Sequence, residues 1–387
     1  MGKWLRGLAW AIGIVVIAAI AVGLWKREEI MRLLAVNSLF EAERIVSNFS
    51  NMDAAFLTRA VSRGNGPVTP LPMGETIALP EGAADWIADR RVTALVVLKD
   101  GVITHESYHE GTGPDDLRVS WSVAKSFLSL LFGILHGEGT IPDLDAQVTD
   151  YLPSLAETAY RDASIRDVLQ MESGVLFDED YLDFNSDINR MGRVLALGGT
   201  MDGFAQSITE SFATPGSQMQ YTSIDTHIIG MVIRAATGQD IPDLLSERLI
   251  GPMGLEASPY YLTDGEGVAF VLGGLNLTTR DYARMGEMVR NYGRLGGQQI
   301  VPARWVYDST RPSALTRPGA MQYGYQWWMP KDAHPGEVIA QGIYGQYVYI
   351  DRNSGVVIAV NAANRGFREV GESDGNIAMF REIAASQ

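Results

Sequence analysis

The sequence predicts an α+β fold in which both ends of the chain build one antiparallel sheet and helices pack on it. A strand hairpin is expected near residue 91, a second near residue 346, and the interval between them is mostly helical in pattern. Terminal strands with helices inserted between them are typical of this class.

Two stretches alternate apolar and polar residues with the period of a strand. The first reads VTALVVLKDGVITHESYHEG, and the pair Asp100-Gly101 inside it is typical of tight hairpins. The second reads GQYVYIDRNSGVVIAVNAAN and turns at Asn353-Ser354-Gly355. We therefore expect two hairpins, followed by a closing helix from about Asn376 to Ala385.

The helical pattern between the hairpins is clearest in SVAKSFLSLLFGILHGEG and TTRDYARMGEMVRNYG. We expect one catalytic domain over residues 76–387, with a helical subregion at about 130–275. Residues 28–62 predict an amphipathic helix, and the stretch rich in Pro and Gly at 65–82 predicts an extended linker. The segment 28–75 is thus expected to connect residues 1–27 to the catalytic domain.

The N-terminus contains an uncharged apolar run from Leu8 to Trp25, with basic residues on both sides. Its length is at the lower limit for a helix that spans a bilayer. We expect residues 1–27 to be a transmembrane anchor, which predicts a bacterial inner-membrane protein with a periplasmic catalytic domain. The alternative is a signal peptide cleaved near Ala21-Val22-Gly23, although such peptides usually have a shorter apolar run.

Composition excludes several classes of function. The net charge is -15 and the pI is about 4.8, so neither nucleic acid nor anionic lipid headgroups are expected partners of the folded part. The chain has no cysteine, which excludes disulfides, a cysteine nucleophile and thiolate metal sites.

Ser122 and Lys125 form the first candidate catalytic pair. A helix is expected to begin at Ser122, because Phe127, Leu128 and Leu131 supply an apolar stripe. Residues three apart share a helix face, so the Lys125 amine can lie beside the Ser122 hydroxyl. A serine needs a base, and a lysine is one only where its pKa is lowered. Ser122 is equally explained as an ordinary helix N-cap, so the pair alone decides nothing.

Two later segments carry complementary chemistry. In Tyr221-Thr222-Ser223 the phenol can relay a proton between a serine and a leaving group. The segment Gln341-Gly342-Ile343-Tyr344-Gly345-Gln346 enters the last hairpin, where glycine permits close backbone approach. An N–H there and the Ser122 N–H can hold an oxyanion. A half-buried tyrosine and a tightly packed strand would explain the same residues without catalysis.

Together the three segments resemble the serine β-lactamase and penicillin-binding-protein superfamily. Its signature is Ser-x-x-Lys, then Tyr-x-Asn or Tyr-x-Ser, then a strand similar to Lys-Thr-Gly. The resemblance covers roughly residues 75–387 and is closest to class C-like esterases and amidases, in particular the 6-aminohexanoate-dimer hydrolases. It is supported by LQMESGV at 169–175, TRDYA at 279–283 and YGYQWW at 323–328, and it implies a β-lactamase/transpeptidase-like fold.

The resemblance also implies a role for individual residues. Ser122 matches the acylated nucleophile, Lys125 its base and Tyr221 the proton relay. The backbone N–H groups of Ser122 and Ile343 match the oxyanion hole. Tyr181, Ser223, Gly342 and Tyr344 are the expected substrate-binding residues, with Tyr181 matching a tyrosine that holds the substrate amide.

A serine hydrolase is therefore expected, one that needs no cofactor or metal and cleaves a small amide or ester through an acyl-enzyme on Ser122. The chain has Ala340-Gln341-Gly342 where β-lactamases have Lys-Thr-Gly, and Ser223 where many have Asn. Both departures disfavour β-lactams and peptidoglycan stems as substrates. A periplasmic β-lactamase or D-alanyl-D-alanine carboxypeptidase is the alternative. A binding protein without catalysis is disfavoured by the intact Ser–Lys–Tyr set.

Three other patterns in the sequence are typical of functional sites. His105-Glu106-Ser107-Tyr108-His109 spells a zinc motif, but on a strand residues four apart are about 13 Å apart, too far for one zinc ion. Ser373 lies in a formal nucleophile elbow with no later histidine. The pair Trp327-Trp328, with Tyr344 and Tyr347, can line an apolar acyl pocket.

Overall fold

The computed structural model describes residues 2–387; the first residue of the predicted anchor lies outside this range. The helices are α1 (Gly2–Trp25), α2 (Arg27–Asn37), α3 (Ile45–Ser50), α4 (Ala83–Asp89), α5 (Val123–Gly137), α6 (Val148–Tyr151), α7 (Ile165–Leu169), α8 (Asp187–Ala196), α9 (Met201–Gln206), α10 (Ser223–Thr237), α11 (Ile241–Leu245), α12 (Gly251–Met253), α13 (Thr279–Arg290), α14 (Ala303–Ser309) and α15 (Glu372–Ser386). The strands are β1 (Leu57–Ala60), β2 (Val92–Lys99), β3 (Val102–Tyr108), β4 (Arg118–Val119), β5 (Tyr260–Thr263), β6 (Leu275–Leu277), β7 (Arg294–Leu295), β8 (Gln298–Gln299), β9 (Gln322–Tyr323), β10 (Trp328–Met329), β11 (Glu337–Gly342), β12 (Gln346–Asp351) and β13 (Val356–Ala362).

The largest sheet joins the two ends of the catalytic region. Its strands are antiparallel, in the order β3-β2-β13-β12-β11-β10-β9, and Val97 of β2 pairs with Ile358 of β13. Asp100 and Gly101 both have positive φ, 49° and 82°, which a two-residue hairpin turn of type I′ requires. The predicted α+β class, both hairpins and the closing helix are confirmed.

Helices cover both faces of this sheet. On one face, Phe380 of α15 packs against Trp86 of α4 and Tyr349 of β12. On the other, α13 packs on β12 and β13, and α5 packs on β11 and β12. Helix α5 is buried from Val123 to Leu135, so its N-terminus is held rigidly against the sheet. A smaller sheet has the order β1-β5-β6-β4.

The predicted linker runs extended along the edge strand β3. The Gly74 N–H donates to the Ile103 carbonyl at 2.9 Å, and the Ile77 N–H donates to the Thr104 carbonyl at 3.0 Å. The linker thereby covers an edge that would otherwise expose unpaired backbone groups.

The single helix predicted over residues 28–62 is wrong. Helix α2 ends at Asn37, a short α3 follows, and Leu57–Ala60 is strand β1, which pairs with β5. Leu39 and Phe49 are buried in the main core. Packing on the domain and pairing with a strand some two hundred residues later therefore override the local helical pattern.

Helix α1 is apolar from Arg6 to Trp25, and none of that stretch is buried against the rest of the described chain. By length and composition it can cross a membrane, although a signal sequence has the same properties. It leads almost without interruption into α2, since the Lys26 N–H donates to the Val22 carbonyl at 2.8 Å and the Ile30 N–H to the Lys26 carbonyl at 2.9 Å.

Candidate active site

Ser122 stands at the N-terminus of α5, one helical turn before Lys125. Its backbone is already helical, with φ −66° and ψ −5°, but its side chain makes no capping bond. Instead, Ser122 Oγ accepts a hydrogen bond from Lys125 Nζ at 3.0 Å. The structure therefore brings the predicted Ser–Lys pair together, and the hydroxyl is not used as an N-cap.

Lys125 is almost fully buried, which changes its acid–base properties. Its Nζ also donates to the Leu272 carbonyl at 2.8 Å and lies 3.4 Å from Ser223 Oγ. Burial lowers the pKa of Lys125 to about 7, against the opposing influence of the Glu179 carboxylate. Near neutral pH a substantial fraction of this amine is consequently unprotonated and able to accept a proton.

Tyr221 immediately precedes the Thr222 N-cap of α10 and faces the same pair. Lys125 Nζ lies 5.3 Å from the centre of the Tyr221 ring. Burial, and after it the nearby Glu179 carboxylate, raises the pKa of the phenol above its usual value, while the hydroxyls of Ser122 and Ser223 act in the opposite direction. The phenol therefore stays protonated near neutral pH, as a group that relays a proton would.

Glu179 is a member of the site that the sequence analysis missed. It accepts hydrogen bonds from the Ser223 N–H, from Ser223 Oγ at 3.2 Å and from Tyr181 Oη at 3.0 Å. Burial raises the pKa of this carboxyl, and the nearby Lys125 charge opposes that rise. Glu179 is thus hydrogen-bonded to two of the predicted substrate-binding residues, Tyr181 and Ser223. Ser223 in turn lies next to the Lys125 amine.

The backbone around Gly342 lies directly against the nucleophile. A methyl group added to Gly342 would lie 2.9 Å from the Ser122 nitrogen and 2.7 Å from the Ser120 carbonyl oxygen. Ile343 follows on the turn between β11 and β12, ahead of Tyr344, which has φ of 60°. This close approach, which only glycine allows, is what an oxyanion hole built from the Ser122 and Ile343 N–H groups requires.

Five aromatic residues surround the site, and we call them the aromatic rim: Phe40, Trp121, Tyr181, Tyr344 and Phe367. The Tyr344 ring stacks on Phe40, with centroids 5.1 Å apart, and lies 4.7 Å from Phe367. Phe367 contacts Tyr181 edge-on at 6.2 Å, and Phe40 lies 6.0 Å from Trp121. Phe40 and Phe367 had no recognisable signal in the sequence, because each comes from a segment remote from the motifs.

The predicted aromatic acyl pocket is only partly correct. Trp327 is fully buried in the core. Tyr347 points to the opposite side of the sheet, where its hydroxyl accepts a hydrogen bond from Asn376 at 3.2 Å. Trp328 packs against the same cluster as Tyr347, but it lies near the edge of the sheet, where its ring is 5.4 Å from that of Tyr221.

The histidine motif and the Ser373 elbow lie apart from this site. His105 and His109 lie on and next to β3, and each ring bonds Ser107 Oγ at 3.1 Å. Within residues 2–387, no group of three or more His, Asp or Glu is placed to hold a metal ion. Ser373 lies in α15, where its hydroxyl contacts the Met321 sulfur.

Comparison with known proteins gives a consistent result. The family model described as Beta-lactamase matches residues 83–380. A 6-aminohexanoate-dimer hydrolase of Paenarthrobacter ureafaciens is 28% identical over 333 residues, which are 81% of this chain and 84% of that protein. A Bacillus anthracis structure, provisionally described as a 6-aminohexanoate-dimer hydrolase, has a TM-score of 0.78 at 23% identity, covering 89% of this chain and 95% of that one. A D-stereospecific amidohydrolase from a Streptomyces species has a TM-score of 0.58 at 20% identity, covering 73% and 94%.

Proposed function

The chain belongs to the Beta-lactamase family and is a hydrolase of that family, and from this premise we propose that it cleaves a small amide or ester through an acyl-enzyme on Ser122. The observation that carries the proposal is the 3.0 Å hydrogen bond between Lys125 Nζ and Ser122 Oγ in a buried setting. A buried amine with a pKa of about 7 is a base suited to a serine hydroxyl.

The geometry supports a sequence of proton transfers. Lys125 accepts the Ser122 proton as Oγ attacks the substrate carbonyl, and the Ser122 and Ile343 N–H groups stabilise the oxyanion. Tyr221 then donates its proton to the leaving amine or alcohol, and the proton held by Lys125 restores the phenol. Water then attacks the acyl group and gives a proton to the same residues, and that proton passes to Ser122 Oγ as the acyl–Oγ bond breaks and the carboxylic acid product leaves.

A linear amide or a simple ester is the proposed substrate class. A relative that aligns with 81% of this chain is a 6-aminohexanoate-dimer hydrolase, and an amide bond joins the two units of that dimer. Ala340, which stands where β-lactamases carry a lysine, is a small buried residue of β11 and offers no charge to a lactam carboxylate. A β-lactamase or carboxypeptidase remains the second candidate, supported by the family match itself.

The test is to map where a covalent adduct forms. The full chain in detergent is treated with an alkyl p-nitrophenyl phosphonate, then analysed by intact mass and peptide mapping. We expect one adduct, on Ser122, which Ser122→Ala abolishes and the matched Ser373→Ala leaves in place. An adduct on another residue would overturn the proposed nucleophile.

Turnover by the unlabelled enzyme then ranks the substrates. We expect hydrolysis of p-nitrophenyl butyrate and the linear 6-aminohexanoate dimer, and little hydrolysis of nitrocefin. A long-lived nitrocefin or penicillin adduct on Ser122, without turnover of the linear compounds, would assign the chain to the penicillin-binding proteins.

We further propose that α1 is a membrane anchor and that the catalytic domain is periplasmic. The uncharged run ends at Trp25, and Lys26 follows it. The Lys26 ammonium lies 4.9 Å from the centre of the Trp25 ring. An aromatic residue next to a basic one is typical of the membrane–water interface.

Glu179 is proposed as a positioning residue that also adjusts the pKa of Lys125. Its negative charge favours the protonated amine, so Glu179→Gln is expected to move the acid limb of kcat/KM to lower pH. Above that limb, kcat/KM is expected to fall about tenfold, the cost of weakening one charged hydrogen-bond partner. Asp178→Asn, at the exposed neighbouring position, should leave the pH profile unchanged. An unmoved acid limb in Glu179→Gln would reduce Glu179 to a merely structural role.

A further inference from the structure

Exposed apolar side chains lie just outside the aromatic rim. Leu182 is 83% exposed and Phe184 69% exposed in the loop of residues 180–186, which contains Tyr181 of the rim. Val370, three residues after Phe367, is fully exposed. Single exposed apolar residues are ordinary, but these three lie in two segments that the 2.8 Å ion pair of Arg368 and Asp180 joins, and together they indicate a surface that contacts something apolar.

The backbone of this loop is held firmly, so the exposure is built into the fold. Arg193 of α8 donates to the Phe184 carbonyl at 2.7 Å, and its guanidinium lies 4.0 Å from the centre of the Phe184 ring. Asn189 of α8 donates to the Asp183 carbonyl at 2.7 Å. Helix α8 therefore fixes the direction in which Leu182 and Phe184 are presented.

The N-terminal helices lie on the same side of the domain as this loop. Helix α2 packs against α8, and it leaves Ile30, Leu33 and Leu34 exposed along one of its faces. Beyond α2 the chain goes directly to Phe40, which stacks on Tyr344 at the rim. The apolar helix α1, the apolar face of α2 and the site entrance are thus consecutive features of one side of the molecule.

We propose that Leu182, Phe184 and Val370 form a membrane-contacting surface, so that the entrance of the active site faces the bilayer that holds α1. The occupant is lipid, because α2 continues directly from α1. The exposed apolar face of α2 therefore begins at the proposed anchor and runs to the part of the domain where α8 lies. Helices with one apolar face lie in the headgroup region with that face toward the acyl chains. The inference rests on the proposed anchor and is independent of the proposed catalytic chemistry.

The absence of cysteine from the chain makes a direct test available. Single variants Leu182→Cys and Phe184→Cys of the full chain are labelled with an environment-sensitive fluorophore. They are reconstituted in phosphatidylethanolamine–phosphatidylglycerol vesicles in which some lipids carry a nitroxide on the acyl chain.

Two control variants are labelled in the same way. Val16→Cys, inside α1, is the positive control. Tyr307→Cys on α14 is the matched negative control, an exposed aromatic residue with the Arg311 guanidinium 5.4 Å from its ring centre. Helix α14 packs at the far end of α5 from Ser122, where Trp305 lies against Gly133.

We expect labels at 16, 182 and 184 to lose emission to the nitroxide lipids and the label at 307 to keep it. Quenching at 16 with none at 182 or 184 would overturn the surface and leave the anchor standing. No quenching at 16 would overturn both the proposed anchor and the proposed membrane-contacting surface. Emission at 182 and 184 that responds to protein density but not to nitroxide would indicate a second copy of the chain as the occupant and would also overturn the proposal. None of these outcomes depends on hydrolytic activity, so a failure of the proposed catalytic function is distinguished separately by the Ser122 adduct.

Discussion

Replacing Lys125 with methionine is expected to lower kcat/KM for an activated ester by about 10³- to 10⁴-fold, the upper range for losing a general base. Methionine keeps the length and apolar stem of lysine but cannot accept a proton. Ser122 Oγ then loses its 3.0 Å partner and remains a neutral hydroxyl. The measurement is steady-state hydrolysis of p-nitrophenyl butyrate by the purified full chain.

The pH dependence of the same rate identifies the base. The pKa of Lys125 is about 7, and the unprotonated amine is the active form. The wild-type kcat/KM should therefore fall as the pH is lowered through about 7 and reach a plateau above it. In Lys125→Met the residual rate should lack this limb, because the titrating group is gone.

Two matched variants complete this test. Lys331→Met removes a half-exposed lysine that pairs with Asp374, and it should keep wild-type activity. Lys125→Arg keeps a positive charge that is never released at these pH values, so it should be as inactive as the methionine variant. An active Lys125→Arg would show that the charge and not the base is what the reaction needs.

Adding one methyl group at Gly342 is expected to lower kcat by about 10²- to 10³-fold, the effect of losing one oxyanion donor. The new Cβ would lie 2.9 Å from the Ser122 nitrogen and 3.0 Å from Trp121 Cβ. Both atoms belong to the segment that leads into α5, so strand β11 and the Ser122 N–H must move apart. The Ser–Lys pair itself is left intact by this substitution.

Gly113→Ala is the control for the Gly342 variant, because a methyl group there meets no atom within 4 Å. Burst kinetics with p-nitrophenyl butyrate separate the steps, since a damaged oxyanion hole slows acylation and deacylation together. If Gly342→Ala keeps full kcat with an unchanged melting temperature, the second donor lies elsewhere and the role assigned to Ile343 falls.

The parts of the structure that could be predicted were those carried by local pattern. Period-two alternation in two separate stretches indicated the hairpins that meet as β2 and β13. The three-residue spacing of Ser122 and Lys125 needed only a helix to bring the two side chains together. In both cases the relevant geometry spans a few residues of one element.

Glu179 and Phe40 could not be predicted, because their roles depend on contacts between distant segments. Glu179 lies in a row of three acidic residues, Asp178 to Asp180, and nothing local tells which carboxylate turns toward Lys125. Its position two residues before Tyr181 was the one available hint. Phe40 lies in a segment with a helical pattern, and only its stacking on Tyr344 reveals that it belongs to the site.

The stacking of Phe40 on Tyr344 also sets an order of events during biosynthesis. The two residues are separated by about three hundred positions, and the sheet likewise pairs β2 with β13. A chain made from its N-terminus therefore presents α1 and Phe40 long before Tyr344 and strand β13 emerge. The nascent enzyme has no assembled site until almost its whole length has been released, by which time the apolar helix has long been available for insertion into a membrane.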